Sequence, residues 1–292
     1  MSDIDIDSGV REPVRLERQG RVGIVTIDRP ERRNALNLAV KAAVVRAVQA
    51  LDADDAVAAI VLTGAGGAFV AGTDIAEMAD MTPTDHVRLD TDRVFHVVRG
   101  TYKPVIAAVE GYALGGGCEL ALACDLIVAA EDAQFGQPEI RVGIMPGAGG
   151  TQRLLRAAGR YKTLLWSLTG DMIPAGDAYM ANVVSELVPT GQALERGIEL
   201  AEQIAGMPPL AVQAIRDAVR LGGDVPIDTA LALERRYFER LFDSEDQKED
   251  MRAFLEKRAP RYEGALIRAP AAGTGQQHCP RKLSRRGGRS QR

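Results

Sequence analysis

The 292-residue chain is 46% hydrophobic and 26% charged, close to the globular average, which excludes wholesale disorder, collagen and coiled-coil classes and leaves one large domain or two small ones. Only 4% of residues are aromatic, with a single Trp, too little for base-stacking platforms, so nucleic acid is not an expected partner. The net charge of −4 is uneven: seven of the 36 Lys and Arg lie beyond Glu263, where no acid occurs, so residues 1–263 hold 29 cations against 40 acids.

The first residues, MSDIDID, show neither a basic segment leading into an apolar stretch nor an Arg-rich amphipathic pattern, and a cytoplasmic location is expected. Residues 22–28 (VGIVTID) are rich in β-branched side chains and predict a strand ending at Arg29-Pro30. Asn37 is a suitable N-cap for a helix over 38–50, where Val40, Val44, Ala47, Val48 and Leu51 recur at helical spacing. A strand follows at 58–63. It lies in the longest charge-free run, 56–73, but Gly64, Gly66, Gly67 and Gly72 interrupt that run, so no membrane span is expected.

Next come a helix over about 85–98, a strand at 105–109, a Gly-rich turn, a short helix at 118–124 and a strand at 126–130. Alternating strands and helices predict an α/β core with largely parallel pairing. Beyond about residue 151 the strand signal fades except at 183–188. Helices are expected over 193–205, 210–221, 227–242 and 245–257, divided by Gly- and Pro-containing breaks or by Asp243-Ser244. The organisation expected is an α/β core over 12–192, a helical region over 193–263 and a disordered basic tail over 264–292.

Several chemistries find no motif. The run at 64–69 (GAGGAF) has Phe69 where a dinucleotide-binding GxGxxG needs its third Gly, the other Gly-rich runs lack a P-loop ending, and there is no GxSxG. Cys118, Cys124 and Cys279, with His86, His96 and His278, form no metal-ligand spacing or disulfide framework, so no metal and no redox cofactor is expected. The Gly runs read as tight turns or as ligand loops. Two of them end strands: 71–74 (AGTD), and Gly115-Gly116-Gly117, which opens the helix at 118. Backbone amides there could converge on an anion with help from the helix dipole. Glu119 lies in that helix's first turn, and the chain reversal at 132–137 could return Glu139 to its side. Paired carboxylates in a dry pocket can divide base and acid roles; alternatively Glu119 stabilises a helix end and Glu139 forms a surface ion pair.

Taken together, 28–30 (DRP) with 34–36 (NAL), 66–74 (GGAFVAGTD), 103–122 (KPVIAAVEGYALGGGCELAL), Cys124-Asp125 and 133–154 (AQFGQPEIRVGIMPGAGGTQRL) resemble the enoyl-CoA hydratase/isomerase (crotonase) superfamily, over roughly residues 12–263. The two acids resemble its hydratase branch. The resemblance implies a crotonase-like spiral of ββα turns with a C-terminal helical trimerisation region, assembling as a homotrimer or homohexamer. It implies an acyl-CoA substrate, with coenzyme A as part of it, and addition of water to a 2-trans-enoyl-CoA. Glu119 would activate water for attack at C3 and Glu139 would protonate C2, while the amides of Thr73 and Gly116 hold the thioester oxygen. Coenzyme A would lie near Ala71, Gly72 and Asp74, with Arg33 at its phosphates, and Phe254 and Lys257 would reach it from an adjacent subunit. Arg33 and Lys257 also read as solvated charges and Phe254 as core. Met78, Met81 and Met145 could line an acyl pocket or be ordinary core. Thr73 replaces a frequent Ala, and Ala76 stands where many relatives have Lys. Enoyl-CoA isomerisation and non-catalytic acyl-CoA binding are the rival readings.

Overall fold

Four strands, β2 (Val22–Ile27), β3 (Ala59–Gly64), β4 (Val105–Val109) and β6 (Leu126–Ala130), pair in parallel in that order and are almost wholly buried. Burial on both faces is what unbroken runs such as AIVLT and VIAAV require, because a parallel sheet is covered on each side. The computed structural model describes residues 12–260 and 262; the expectation of a disordered tail falls outside them. At one edge β1 (Val14–Gln19) adds antiparallel to β2, and at the other β9 (Glu186–Val188) adds parallel to β6. The expected strand over 183–188 is confined to these last three residues.

The sheet's two faces separate its side chains by the two-residue strand period. Ile60 and Leu62 face a large core that includes Val40, Val44 and Val48 of α1 (Leu38–Ala53). Ala59 and Val61 face a smaller core closed by Ala193 and Ala201 of α8 (Ala193–Ala205). Asn37 caps α1 as expected, accepting from the Val40 amide at 2.8 Å.

Each crossover visits a second layer before its helix. After β4 the chain forms β5 (Tyr112–Leu114) and α5 (Gly116–Ala123); after β6 it forms β7 (Gln134–Gly136), the 3-10 turn Pro138–Val142 and α6 (Gly150–Thr169). β5 and β7 pair in parallel, β8 (Ile173–Pro174) closes that layer, and parallel bridges join Val70 to Ala113 and Leu36 to Thr73. Strand, short strand, helix is therefore a repeated turn, and this is the spiral that the resemblance implied. It brings the segments after each short strand, at 71–74, 115–117 and 137–139, to one end of the second layer.

The helix expected over 85–98 is broken. α2 (Ile75–Met78) and α3 (Pro83–Arg88) come first, and α3 begins with a capping box between Thr82 and Asp85; α4 (Arg93–Gly100) follows. Asp90 between α3 and α4 sits at φ +48°, a left-handed conformation that Asp tolerates better than most residues. α7 (Ala175–Met180) precedes β9. α9 (Pro209–Gly222), α10 (Ile227–Leu241) and α11 (Glu245–Glu256) complete the described chain. α11 stops one residue short of Lys257, which adopts φ +54° as its C-cap.

One buried side chain ties the first two turns together. Asn34, fully buried at φ +60°, donates through Nδ2 to the carbonyls of Ala65 (2.8 Å) and Ala68 (2.7 Å), and its Oδ1 accepts from the Arg29 amide at 2.9 Å. Asn34→Ala leaves those three groups without this partner, at about 1–3 kcal/mol for an unsatisfied buried group. Urea denaturation is expected to show a loss of at least about 2 kcal/mol; a loss below about 0.5 kcal/mol, the size of an ordinary surface substitution, would contradict this role.

Candidate active site

At the start of α5 the chain is backbone alone. Gly115 has φ +50° and ψ −122°, a conformation that side chains strongly disfavour, and a Cβ on it would lie 2.9 Å from Oε1 of Glu139. A Cβ on Gly117 would overlap the Val70 carbonyl, so the helix end can approach the 70–73 segment this closely only with glycine there. The same approach sets the position of Gly116 only 2.6 Å, measured from an ideal Cβ, from the Thr73 hydroxyl.

Two amides open into this space. In the bridge of Leu36 to Thr73 the Leu36 amide donates to Gly72 (2.8 Å) and the Asp74 amide to Leu36 (3.0 Å), so ladder alternation turns the Thr73 N–H to the other side. Gly116 is the first residue of α5, where a helix has no internal acceptor for its N–H. Among the described residues neither amide donates within the chain. Thr at 73 keeps the amide, and its hydroxyl occupies room that Gly116 leaves.

Glu119 is only 3% exposed, and its Oε1 accepts from the amides of Ala148 (2.7 Å) and Gly150 (2.8 Å). It therefore caps the N-terminus of α6 rather than its own helix, which is the helix-end role weighed from sequence, transferred to a distant helix. Burial raises its pKa, opposed first by these two hydrogen bonds and then by the positive charges of Arg153 and Lys41. Half-buried Glu139, at the start of the 3-10 turn, follows β7 in register with β5: Leu114 pairs with Gly136, and the Gly115 amide donates to the Gly136 carbonyl at 2.9 Å. Burial pushes Glu139 up to about 7, and the charge of Glu119 adds to the rise. Fully buried Gln137, with its amide nitrogen toward the carboxylate, donates to both Glu139 oxygens at 3.1 Å. Both acids accept hydrogen bonds, but Glu119 has cations beside it, whereas Glu139 has a negative neighbour and holds a proton near neutrality. Cys118 beside them is pushed up to about 12 by burial, so it stays a thiol and is no nucleophile.

The other expected site residues divide. Ala71, Gly72 and Asp74 lie with Thr73 beside the open amides, and the Ala71 amide donates to the Arg33 carbonyl at 3.0 Å. The exposed Arg33 guanidinium stands 5.6 Å over the Tyr112 ring. Asp74 is ion-paired with Arg29 at 2.9 Å, and this hydrogen bond lowers its pKa. Met78 and Met81 are half-buried around the end of α2, whereas Met145 is 66% exposed. Phe254 is 84% exposed, not core, and lines a groove of about 620 Å³ with residues of α9 and α10 and none of the site above; Lys257 ends the same helix. Gln137, Lys41, Ala148, Gly150 and Arg153 were not singled out from sequence. Gln137 and Arg153 lie inside the 133–154 block, and only the fold shows that their near neighbours, Glu139 and the Ala148 carbonyl, face the site. Among the described residues no group of three or more His, Cys, Asp or Glu is placed to hold a metal, and no helix is long and apolar enough to cross a membrane.

Comparison with known proteins gives the family. The profile of the family described as enoyl-CoA hydratase/isomerase matches residues 17–265. The 2,3-dehydroadipyl-CoA hydratase of Escherichia coli K12 is 43% identical over 85% of this chain and 98% of its own length. The short-chain-enoyl-CoA hydratase of Clostridium acetobutylicum is 42% identical over 83% and 94%. The crystal structure of an enoyl-CoA hydratase from Bacillus anthracis superposes with a TM-score of 0.83 at 35% identity, covering 87% of this chain and all of that one. With a profile match across most of its length and relatives above 40% identity, the chain belongs to the enoyl-CoA hydratase/isomerase family.

Proposed function

We propose that the chain catalyses reversible addition of water to a 2-trans-enoyl-CoA, giving the 3-hydroxyacyl-CoA. The observation that carries this reading is the pair of unlike carboxylates beside two open amides. Glu119 takes a proton from water as the oxygen bonds to C3. The C2–C3 π electrons move toward the thioester, whose oxygen becomes enolate-like and is held by the amides of Thr73 and Gly116; each such donor is worth about 3–4 kcal/mol in a transition state. Glu139 delivers a proton to C2. One acid gains a proton and the other loses one, so the pair resets by exchange with solvent. Two carboxylates favour hydration over isomerisation, which needs one acid to shuttle a proton between C2 and C4, and retention of both argues against a purely binding protein.

Coenzyme A is assigned to the 71–74 loop with Arg33 at its phosphates, and the acyl chain to the side of Met78 and Met81, with Met145 at the exposed rim. Exposure of Phe254 beside Lys257 supports a role for both toward coenzyme A on a second copy, in a homotrimer or homohexamer. A cytoplasmic location fits two described cysteines that are both free.

Glu119→Gln and Glu139→Gln should each lower hydration of a short 2-enoyl-CoA at least about 100-fold with substrate binding retained. The double variant should be far less impaired than the product of the two defects, because both acids serve one water. On a 3-enoyl-CoA, an isomerase would lose activity with Glu139→Gln and keep most of it with Glu119→Gln. Full hydration by both single variants would show that other groups carry the reaction.

Glu139 also sets a pH dependence. Its ordinary value is 4.5 and its folded value about 7, so the folded state holds the proton more tightly. The associated stability is fully present below 4.5 and is lost as pH rises through 7. Turnover should fall above about pH 7, with an apparent value that belongs to the coupled pair. Thermal unfolding should show Glu139→Gln gaining on the wild type between pH 5 and pH 8; an equal difference at both pH values would contradict the raised value.

A further inference from the structure

We propose that Arg153 is the positioning residue of the catalytic base, fixing the loop whose amides hold Glu119. The inference rests on the reading of Glu119 as base. Three of the four residues at 147–150 (GAGG) are glycine, and Gly149 is at φ +103°, so this segment has more backbone freedom than any other residue type would give it. Yet two of its amides, those of Ala148 and Gly150, meet a single oxygen of Glu119 at 2.7 and 2.8 Å. Something must hold the peptide planes between them.

Arg153 does so twice. Its amide donates to the Gly149 carbonyl at 2.9 Å as the first full turn of α6, and its Nη1 donates to the Ala148 carbonyl at 2.7 Å. Consecutive carbonyls are tied back to one residue, which leaves the flanking N–H groups facing Glu119. The first bond is ordinary helix and needs no particular side chain; the second needs a guanidinium. Arg153 is half-buried, and its charge also favours ionised Glu119.

The other charged groups facing Glu119 are Lys41 of α1, which acts in the same sense, and Glu139 of the 3-10 turn, which opposes it; Cys118 on its own helix is a neutral thiol. Lys41 is held by a 2.9 Å bond to the Thr91 carbonyl and touches no loop carbonyl among 147–150. Of the two cations, only Arg153 couples charge to the geometry of the amides.

Arg153→Met and Arg153→Lys test this in the full-length protein. The Met variant should lose about 10- to 100-fold in kcat, the range a misplacement near 1 Å produces, with KM within about twofold. The acidic limb of its kcat–pH profile should move to higher pH, because Glu119 loses amides and charge together. The Lys variant, with a donor and a charge, should recover part of both effects. If the Met variant fails to fold, Arg153→Gln, a neutral donor, carries the same comparison. A Met or Gln variant that folds and keeps the wild-type acidic limb overturns the proposal, whatever its kcat, since a purely structural role would not move that limb. Hydration that collapses with Glu119→Gln while Arg153→Met behaves as wild type removes this inference alone. Wild-type hydration surviving Glu119→Gln removes the base reading beneath it.

Discussion

The separation between Gly117 and the Val70 carbonyl leaves no room for a single carbon atom, and the geometry of the site follows from that contact. Because α5 can press against the 70–73 segment, Gly116 comes beside Thr73, and Glu119 follows within the first turn of the same helix. A larger residue at 117 would force the helix end outward and part the Gly116 amide from that of Thr73, whose direction the bridge to Leu36 sets. The contact is made possible by the second layer, whose short strands align three successive turns of the spiral at their ends. Neither strand contributes more than three residues there, yet the register of β5 with β7 decides that Gly115 and Glu139 are neighbours.

Burial supplies the rest of the chemistry. In water two glutamates have nearly the same acidity; here both are pushed up, and the difference between them comes from their hydrogen-bond partners and the charges beside them. Glu119 meets two main-chain amides at the start of a helix, a place where negative charge is favoured. Glu139 has a neutral side-chain amide, Gln137, and a negative neighbour. Unlike surroundings around like residues are enough to separate a proton acceptor from a proton donor.

The central strands were legible because a doubly buried parallel strand is an unbroken apolar run, and VGIVTI, AIVLT and VIAAV have no other economical explanation. β1 was not, because an edge strand carrying Arg15, Glu17 and Arg18 has the composition of a loop. β5, β7 and β8 are too short to express any period. The break between α3 and α4 depends on one residue, Asp90, in a left-handed conformation that its neighbours do not announce. At the site, Glu119 and Glu139 were legible through the long blocks around them. The cap that Glu119 places on α6 spans 31 residues, and no local pattern encodes a contact at that distance. Gln137 and Arg153 act on near neighbours, Glu139 and the Ala148 carbonyl, but nothing in their residue types announces that those neighbours face a buried site.

The two open donors belong to the main chain, and this has an evolutionary consequence. Residue type does not encode an N–H group; every amino acid except proline provides one. The two N–H groups are therefore inherited with the backbone path, and any residue but proline at position 73 keeps its donor. The acids have no such protection, since one codon change removes either. A lineage built on this spiral can thus discard or replace Glu119 and Glu139 and retain both open amides throughout.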